Sequence, residues 1–260
     1  MVDLKIIETI NNVFKLYFNN FKKFYIYQLI FHFLSFPLLL IKSEDTFSLI
    51  ISLIFSTIYF ILGSLWLIGY IYLVKDPNKN IKDVLKSAIN KLFGVILIEI
   101  IISLIHLVMI FAPLYLFLSF LFREDFFIIF QLYVFVFIFI LLTIFAILII
   151  SRLIFSIPIY VNENKKLFES ILESWKRTNW IFAGKYILLI FLLMFLVLIL
   201  ILWPFILIYL IITLGFAFSF EIEIFFVISI ILYVSLYPIF VIPIILLLPL
   251  VYFKYLERSE

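Results

Sequence analysis

The chain has 260 residues, of which 67% are hydrophobic and 13% charged, with a formal net charge of +3. A soluble domain carries about 45–50% apolar and about 25% charged residues, so this mixture cannot build a water-facing surface and lipid must cover the excess. Cysteine is absent, which excludes disulfides and thiolate metal sites.

The N-terminal segment, Met1 to Lys23, interleaves Asp3, Lys5, Glu8, Lys15, Lys22 and Lys23 with apolar residues. It lacks the apolar run and small-residue cleavage site of a secretory signal, so the first spanning helix is expected to act as its own insertion signal. Six apolar stretches follow, approximately Phe24–Ile41, Phe47–Val74, Leu92–Phe122, Phe126–Ile159, Ile181–Leu214 and Ile224–Phe253. Spanning a bilayer takes roughly 20 apolar residues, and tilting or kinking absorbs any excess. Pro37, Pro113, Pro204, Pro238 and Pro243 fall inside these stretches and are the expected kink points. Pro204 could split the fifth stretch into two spans, but no charges mark a loop there.

Charge fixes the expected orientation. Basic residues collect in the N-terminal segment, in Lys75–Lys91, in Arg152–Lys185 and in the C-terminal tail, leaving only Lys42 and Arg123 of the 19 on the opposite side. The positive-inside bias places the basic side, with both termini, in the cytoplasm of a cell membrane. An odd number of spans would spoil this alternation.

The basic segments share a pattern. Ile6, Glu8, Ile10, Val13 and Phe14 match Ile81, Asp83, Leu85, Ala88 and Ile89, and then Leu167, Glu169, Ile171, Ser174 and Trp175. Spacing of i, i+4, i+7 and i+8 marks one face of a helix. Each segment precedes two apolar stretches, so the 260 residues read as one membrane domain of three repeats, approximately 1–78, 79–163 and 164–260. Asn80 with Asp83 is placed to cap the second such helix. The expected fold is all-α: six transmembrane helices in three hairpins, each preceded by an amphipathic interfacial helix. The lysines of these helices turn toward anionic lipid.

The third repeat carries the most distinctive text. Pro158-Ile-Tyr-Val-Asn-Glu163 precedes an amphipathic segment ending in Ser174-Trp-Lys-Arg-Thr-Asn-Trp180. This resembles a family of six-helix membrane proteins that includes the YciC-like proteins and the membrane domain of some glycerophosphodiester phosphodiesterases. The opening Phe14-Lys-Leu-Tyr17 with Asn20-Phe-Lys-Lys23, and the tail Tyr252-Phe-Lys-Tyr-Leu-Glu-Arg258, are similar to that family's ends. The resemblance implies a fold and a location, not an activity. The membrane part uses every residue, so no hydrolase activity follows from it.

Ionisable residues inside spans are costly and mark sites or locks. Glu99 and Arg152 sit at matching depth in the third and fourth stretches, and an intramembrane ion pair between them is expected. Ser103 and His106 share the Glu99 face, and Gln28, His32 and Ser35 form a similar stripe in the first stretch; together these residues are a candidate polar interior. Hydrogen bonding between helices is the simpler role for such stripes. Lys22, Lys23, Lys82, Lys86, Lys176 and Arg177 are the candidate contacts to lipid headgroups. The four tryptophans read as packing or interface anchors. No protease, hydrolase or phosphate-loop motif is present, and no paired histidine spacing suggests a metal. No cofactor is implied. The expected function is non-enzymatic: a membrane-organising or accessory protein whose basic side engages membrane lipids or a protein partner, not nucleic acid. The alternative is a small transporter using the polar interior.

Overall fold

The computed structural model describes residues 4–39, 46–121, 128–216 and 241–257, and among them every regular element is helical. The helices are α1 (Ile6–Asn19), α2 (Phe21–Leu39), α3 (Thr46–Lys75), α4 (Ile81–Leu121), α5 (Ile128–Leu153), α6 (Ser156–Glu163), α7 (Leu167–Arg177), α8 (Trp180–Phe216) and α9 (Val241–Leu256). The last turn of α9, Tyr252–Leu256, winds as a π-helix.

Among the described residues four helical stretches are long and apolar enough to cross a bilayer: Ile50–Lys75, Ile81–Met109, Val136–Glu163 and Trp180–Ile199. Only 6% of the most apolar part of the first is buried within the protein. Large side chains such as Phe137, Leu141, Phe191 and Phe195 face outward instead. Water would not support such a surface, so the chain is a membrane protein whose helices face lipid. The first expected span falls largely in α2. Most of the sixth lies outside the described residues, apart from α9.

The chain divides into two compact units, Lys5–Leu92 with Leu188–Glu260, and Met1–Leu4 with Phe93–Ile187. In the first unit α2 and α3 form an antiparallel hairpin. Phe24 stacks on Tyr70, Tyr27 meets Tyr70 edge-on, and Phe31 stacks on Trp66, so contacts climb one helix while descending the other. Gly69 makes room for this packing, since a Cβ there would lie 1.7 Å from the Tyr27 hydroxyl.

In the second unit Pro158 breaks the fourth span. Proline cannot donate to the carbonyl four residues back, here Ile154. Accordingly α5 ends at Leu153, the Ile154 carbonyl accepts from the Ile157 amide at 3.3 Å, and Pro158 sits in the first turn of α6, where no donor is needed. This interruption was absent from the expected kink points. Asn164 ends α6 in the left-handed region (φ 52°), which asparagine tolerates. The chain then folds back, and α7 packs on both α6 and α5.

The three amphipathic segments become α1, the start of α4, and α7. Their shared acids, Glu8, Asp83 and Glu169, all occupy the third helical position, where a carboxylate complements the helix dipole. The Glu169 carboxylate accepts from the Lys166 amide, and Asn80 Oδ1 accepts from the Lys82 amide at 3.1 Å, as a cap should. Residues 5–13, 80–88 and 166–174 run through one identical order of exposed, half-buried and buried positions. Thr9, Val84 and Ser170 coincide as fully buried, and so do Val13, Ala88 and Ser174.

The second segment differs from expectation in one respect. It is not a separate interfacial helix but runs unbroken into the span as the 41-residue α4. The first and third segments each end near an asparagine. Asn20 Nδ2 donates to the Leu16 carbonyl, and Asn179 Oδ1 accepts from the Phe182 amide to start α8. The second has Phe93, Gly94 and Val95 at the corresponding place, with no side-chain acceptor to start a new helix.

Candidate functional site

The strongest concentration of polar chemistry lies where α7 covers the basic end of the fourth span. Arg152, in the last turn of α5, is 7% exposed. Its guanidinium carbon lies 3.6 Å from the centre of the Trp175 ring and 4.6 Å from that of Trp180. Nη2 donates to the Trp175 carbonyl at 2.6 Å, while Nε is buried with no acceptor among the described residues. Ser174, fully buried, donates to the Arg152 carbonyl, and Thr178 Oγ1 donates to the Ser174 carbonyl at 2.7 Å. Small hydroxyl residues let α7 approach closely and satisfy their own hydroxyls on the main chain.

The Glu99–Arg152 ion pair expected from matching depth is therefore not what Arg152 makes. Its partners are two indole faces and a carbonyl. Depth counting considered the two spans of one hairpin, whereas the turn at Asn164 brings α7 back over the guanidinium. Glu99 is half-buried in α4.

A second cluster joins α6 to α7. Arg177 grips Glu163 with both Nη atoms, the Nη2–Oε2 bond being 2.7 Å, and its Nε donates to Glu173 at 3.0 Å. Lys165 adds contacts of 3.2 Å to Glu163 and 3.8 Å to Glu173. Two cations thus balance two carboxylates. Burial pulls the Arg177 pKa down, but the hydrogen bonds it donates to Glu163 and Glu173, with their negative charge, outweigh it and the net shift is upward. With its side chain only 5% exposed, Arg177 is committed to this cluster and is not a headgroup contact as expected. Lys22, Lys82, Lys86 and Lys176 are exposed, and Lys23 is half-buried, donating to the Pro77 carbonyl.

Of the candidate polar interior, Gln28, Ser103 and His106 are described in different settings. Gln28 is buried, but its Oε1 accepts from Tyr70 at 2.9 Å, a helix-to-helix bond within the hairpin. Ser103 and His106 are exposed, on a part of α4 that also presents Leu104, Leu107 and Val108. The side chains of His32 and Ser35 lie outside the described residues. A half-open apolar cleft of about 30 Å³ is lined by Tyr27, Phe31, Leu62 and Trp66 of α2 and α3 with Leu85 of α4, and it offers space on the scale of a water molecule.

At the far end of the chain Lys254 bonds to Glu8 at 2.6 Å, and Tyr255 meets the buried Thr9 hydroxyl at 3.0 Å, so α1 is clasped to α9. The hydrogen bond from Lys254, reinforced by its charge, holds the Glu8 carboxyl below its ordinary 4.5. Sequence reasoning singled out Arg152, Trp175 and Trp180 separately but missed their meeting. The available signal was an arginine at the end of a span followed closely by an amphipathic segment with two indoles near its end. No family model, curated protein or solved structure matches the chain.

Proposed function

We propose that this protein is a non-enzymatic membrane-organising or accessory protein whose basic side engages anionic lipid headgroups in the cytoplasmic leaflet. In this reading six spans form three hairpins with both termini in the cytoplasm of a cell membrane. The repeats are approximately 1–78, 79–163 and 164–260, on the plan of the YciC-like family. The observation that carries it is the common burial order of residues 5–13, 80–88 and 166–174. Three segments of different composition are seated alike, which is what three copies of one headgroup-level helix require.

Their outward faces fit that position. Ile7, Phe18, Ile89, Phe93, Phe168 and Leu172 are all at least 60% exposed, beside the exposed Lys22, Lys82, Lys86 and Lys176. Apolar side chains dipping into the acyl boundary with lysines at phosphate level are the pattern of an interfacial helix. Each such lysine contributes about 1 kcal/mol on an anionic leaflet.

The test is reconstitution into nanodiscs of mixed neutral and anionic phospholipid, measuring the anionic fraction in the lipid shell around the protein. The wild type should enrich anionic lipid. A variant with Lys22, Lys82, Lys86 and Lys176 changed to glutamine should lose most of that enrichment. A wild-type shell of bulk composition would refute the reading.

A further inference from the structure

We infer that Arg152, with Trp175, Trp180 and the first turn of α8, forms a discrete binding site for the phosphate of one anionic phospholipid; this deepens the headgroup reading and rests on it. The argument begins with charge. Arg152 is 93% enclosed, yet among the described residues its partners are indole faces and one carbonyl. Of the next three carboxylates along the chain, Glu163 and Glu173 are gripped by Arg177 and Lys165, and the exposed Glu169 accepts from the Lys166 amide at the start of α7. An enclosed cation at the end of a span is expensive without a counter-charge, and here the described residues supply π faces and a carbonyl but no carboxylate.

The second element is α8. Like any helix, it begins with amides that have no intrahelical acceptor. Asn179 Oδ1 takes the Phe182 amide, and the Trp180 and Ile181 amides precede it in the same turn. A helix N-terminus beside an arginine that lacks a counter-ion favours an anion of phosphate type. Of the five N–H donors of Arg152 only Nη2 has an acceptor among the described residues.

The third element selects a lipid. Trp175, Trp180 and Ile181 are 37%, 43% and 64% exposed. A free phosphate would leave this apolar surface bare, whereas the acyl chains of a phospholipid would cover it while its phosphate meets Arg152. Tryptophan at headgroup depth suits that arrangement.

The test uses the full-length protein in neutral phosphatidylcholine nanodiscs, with or without a minor fraction of phosphatidylglycerol. Lipid that survives delipidation is read by native mass spectrometry, and melting temperature is read in both disc types. The wild type should retain one phosphatidylglycerol and melt higher when it is present. Arg152→Gln should bind it about tenfold more weakly and lose the lipid-dependent rise. Arg152→Lys keeps the charge but not the planar fork between two rings, and should fold while losing most of the retention. The four-lysine variant should keep the retained lipid while losing bulk enrichment, which separates this site from the general headgroup reading. Three results would overturn the inference: Arg152→Gln retaining lipid like the wild type, Arg152→Gln lowering the melting temperature equally in both disc types, or inorganic phosphate protecting the wild type equally well in neutral discs.

Discussion

Removing Arg177 should loosen α7 from α6. Its side chain is 5% exposed, and the carboxylates it holds, Glu163 and Glu173, are 15% and 14% exposed. Breaking a fully buried pair by deleting one partner costs about 3–5 kcal/mol, mostly for the charge left behind. Here the abandoned carboxylates keep some water and keep Lys165, at 3.2 Å from Glu163 and 3.8 Å from Glu173, which screens part of the loss. Arg177→Met should therefore cost about 2–3 kcal/mol. Arg177→Lys should cost less but not recover the wild type, because an ammonium cannot make the two-pronged contact with Glu163. Reversible unfolding in mixed micelles of the wild type, Glu163→Gln, Arg177→Met and the double variant gives the coupling energy directly. A coupling of about 1.5 kcal/mol or more is expected for residues in direct contact. A value within about 0.3–0.5 kcal/mol of zero would mean that the two side chains act independently and that the cluster does not hold α7 in place.

Gly69→Ala should destabilise the α2–α3 hairpin by about 1–3 kcal/mol through overpacking, since its Cβ would fall 1.7 Å from the Tyr27 hydroxyl. Unfolding measured with Tyr27→Ala in the same chain should show part of that cost relieved. Ser174→Ala should cost about 1 kcal/mol for the hydrogen bond to the Arg152 carbonyl. Ser174→Leu should cost more, because the site is fully enclosed. The melting order wild type, Ala, Leu checks both. Glu8 has its pKa lowered by Lys254, so its contribution to the α1–α9 clasp is present above the ordinary value of 4.5 and lost as pH falls through the folded value. Spin labels at Asn11→Cys and Glu257→Cys, in a chain with no native cysteine, should report separation on acidification that Glu8→Gln makes independent of pH.

The all-helical membrane fold was legible from the sequence because apolar runs and helical spacing both depend on local order. The three segments that share a pattern fall in helices, α1, the start of α4 and α7, for the same reason. Which face of each segment meets protein was not legible: an apolar stripe such as Ile6, Ile10 and Val13 suits lipid or the bundle alike, and the buried line runs through Thr9, Val13 and Tyr17 in α1 and through Ser170 and Ser174 in α7. In a membrane, lipid accepts apolar side chains as readily as protein does, so hydrophobicity does not tell which face meets another helix. Small hydroxyl residues mark the close contact instead. The Arg152 environment was illegible for a different reason. It depends on the break at Pro158 and the left-handed Asn164, which together return α7 to α5. Each is a single-residue event that a reading of apolar stretches passes over.

The central claim is that three like units present their amphipathic helices to the same, anionic side of the membrane. The absence of cysteine allows a direct measurement: Lys22→Cys, Lys86→Cys and Lys176→Cys, one at a time, labelled by an impermeant maleimide in intact and in permeabilised cells. All three residues are exposed. The account predicts that each is protected in intact cells and labelled only after permeabilisation. Labelling of any one of the three in intact cells would contradict the common orientation of the repeats.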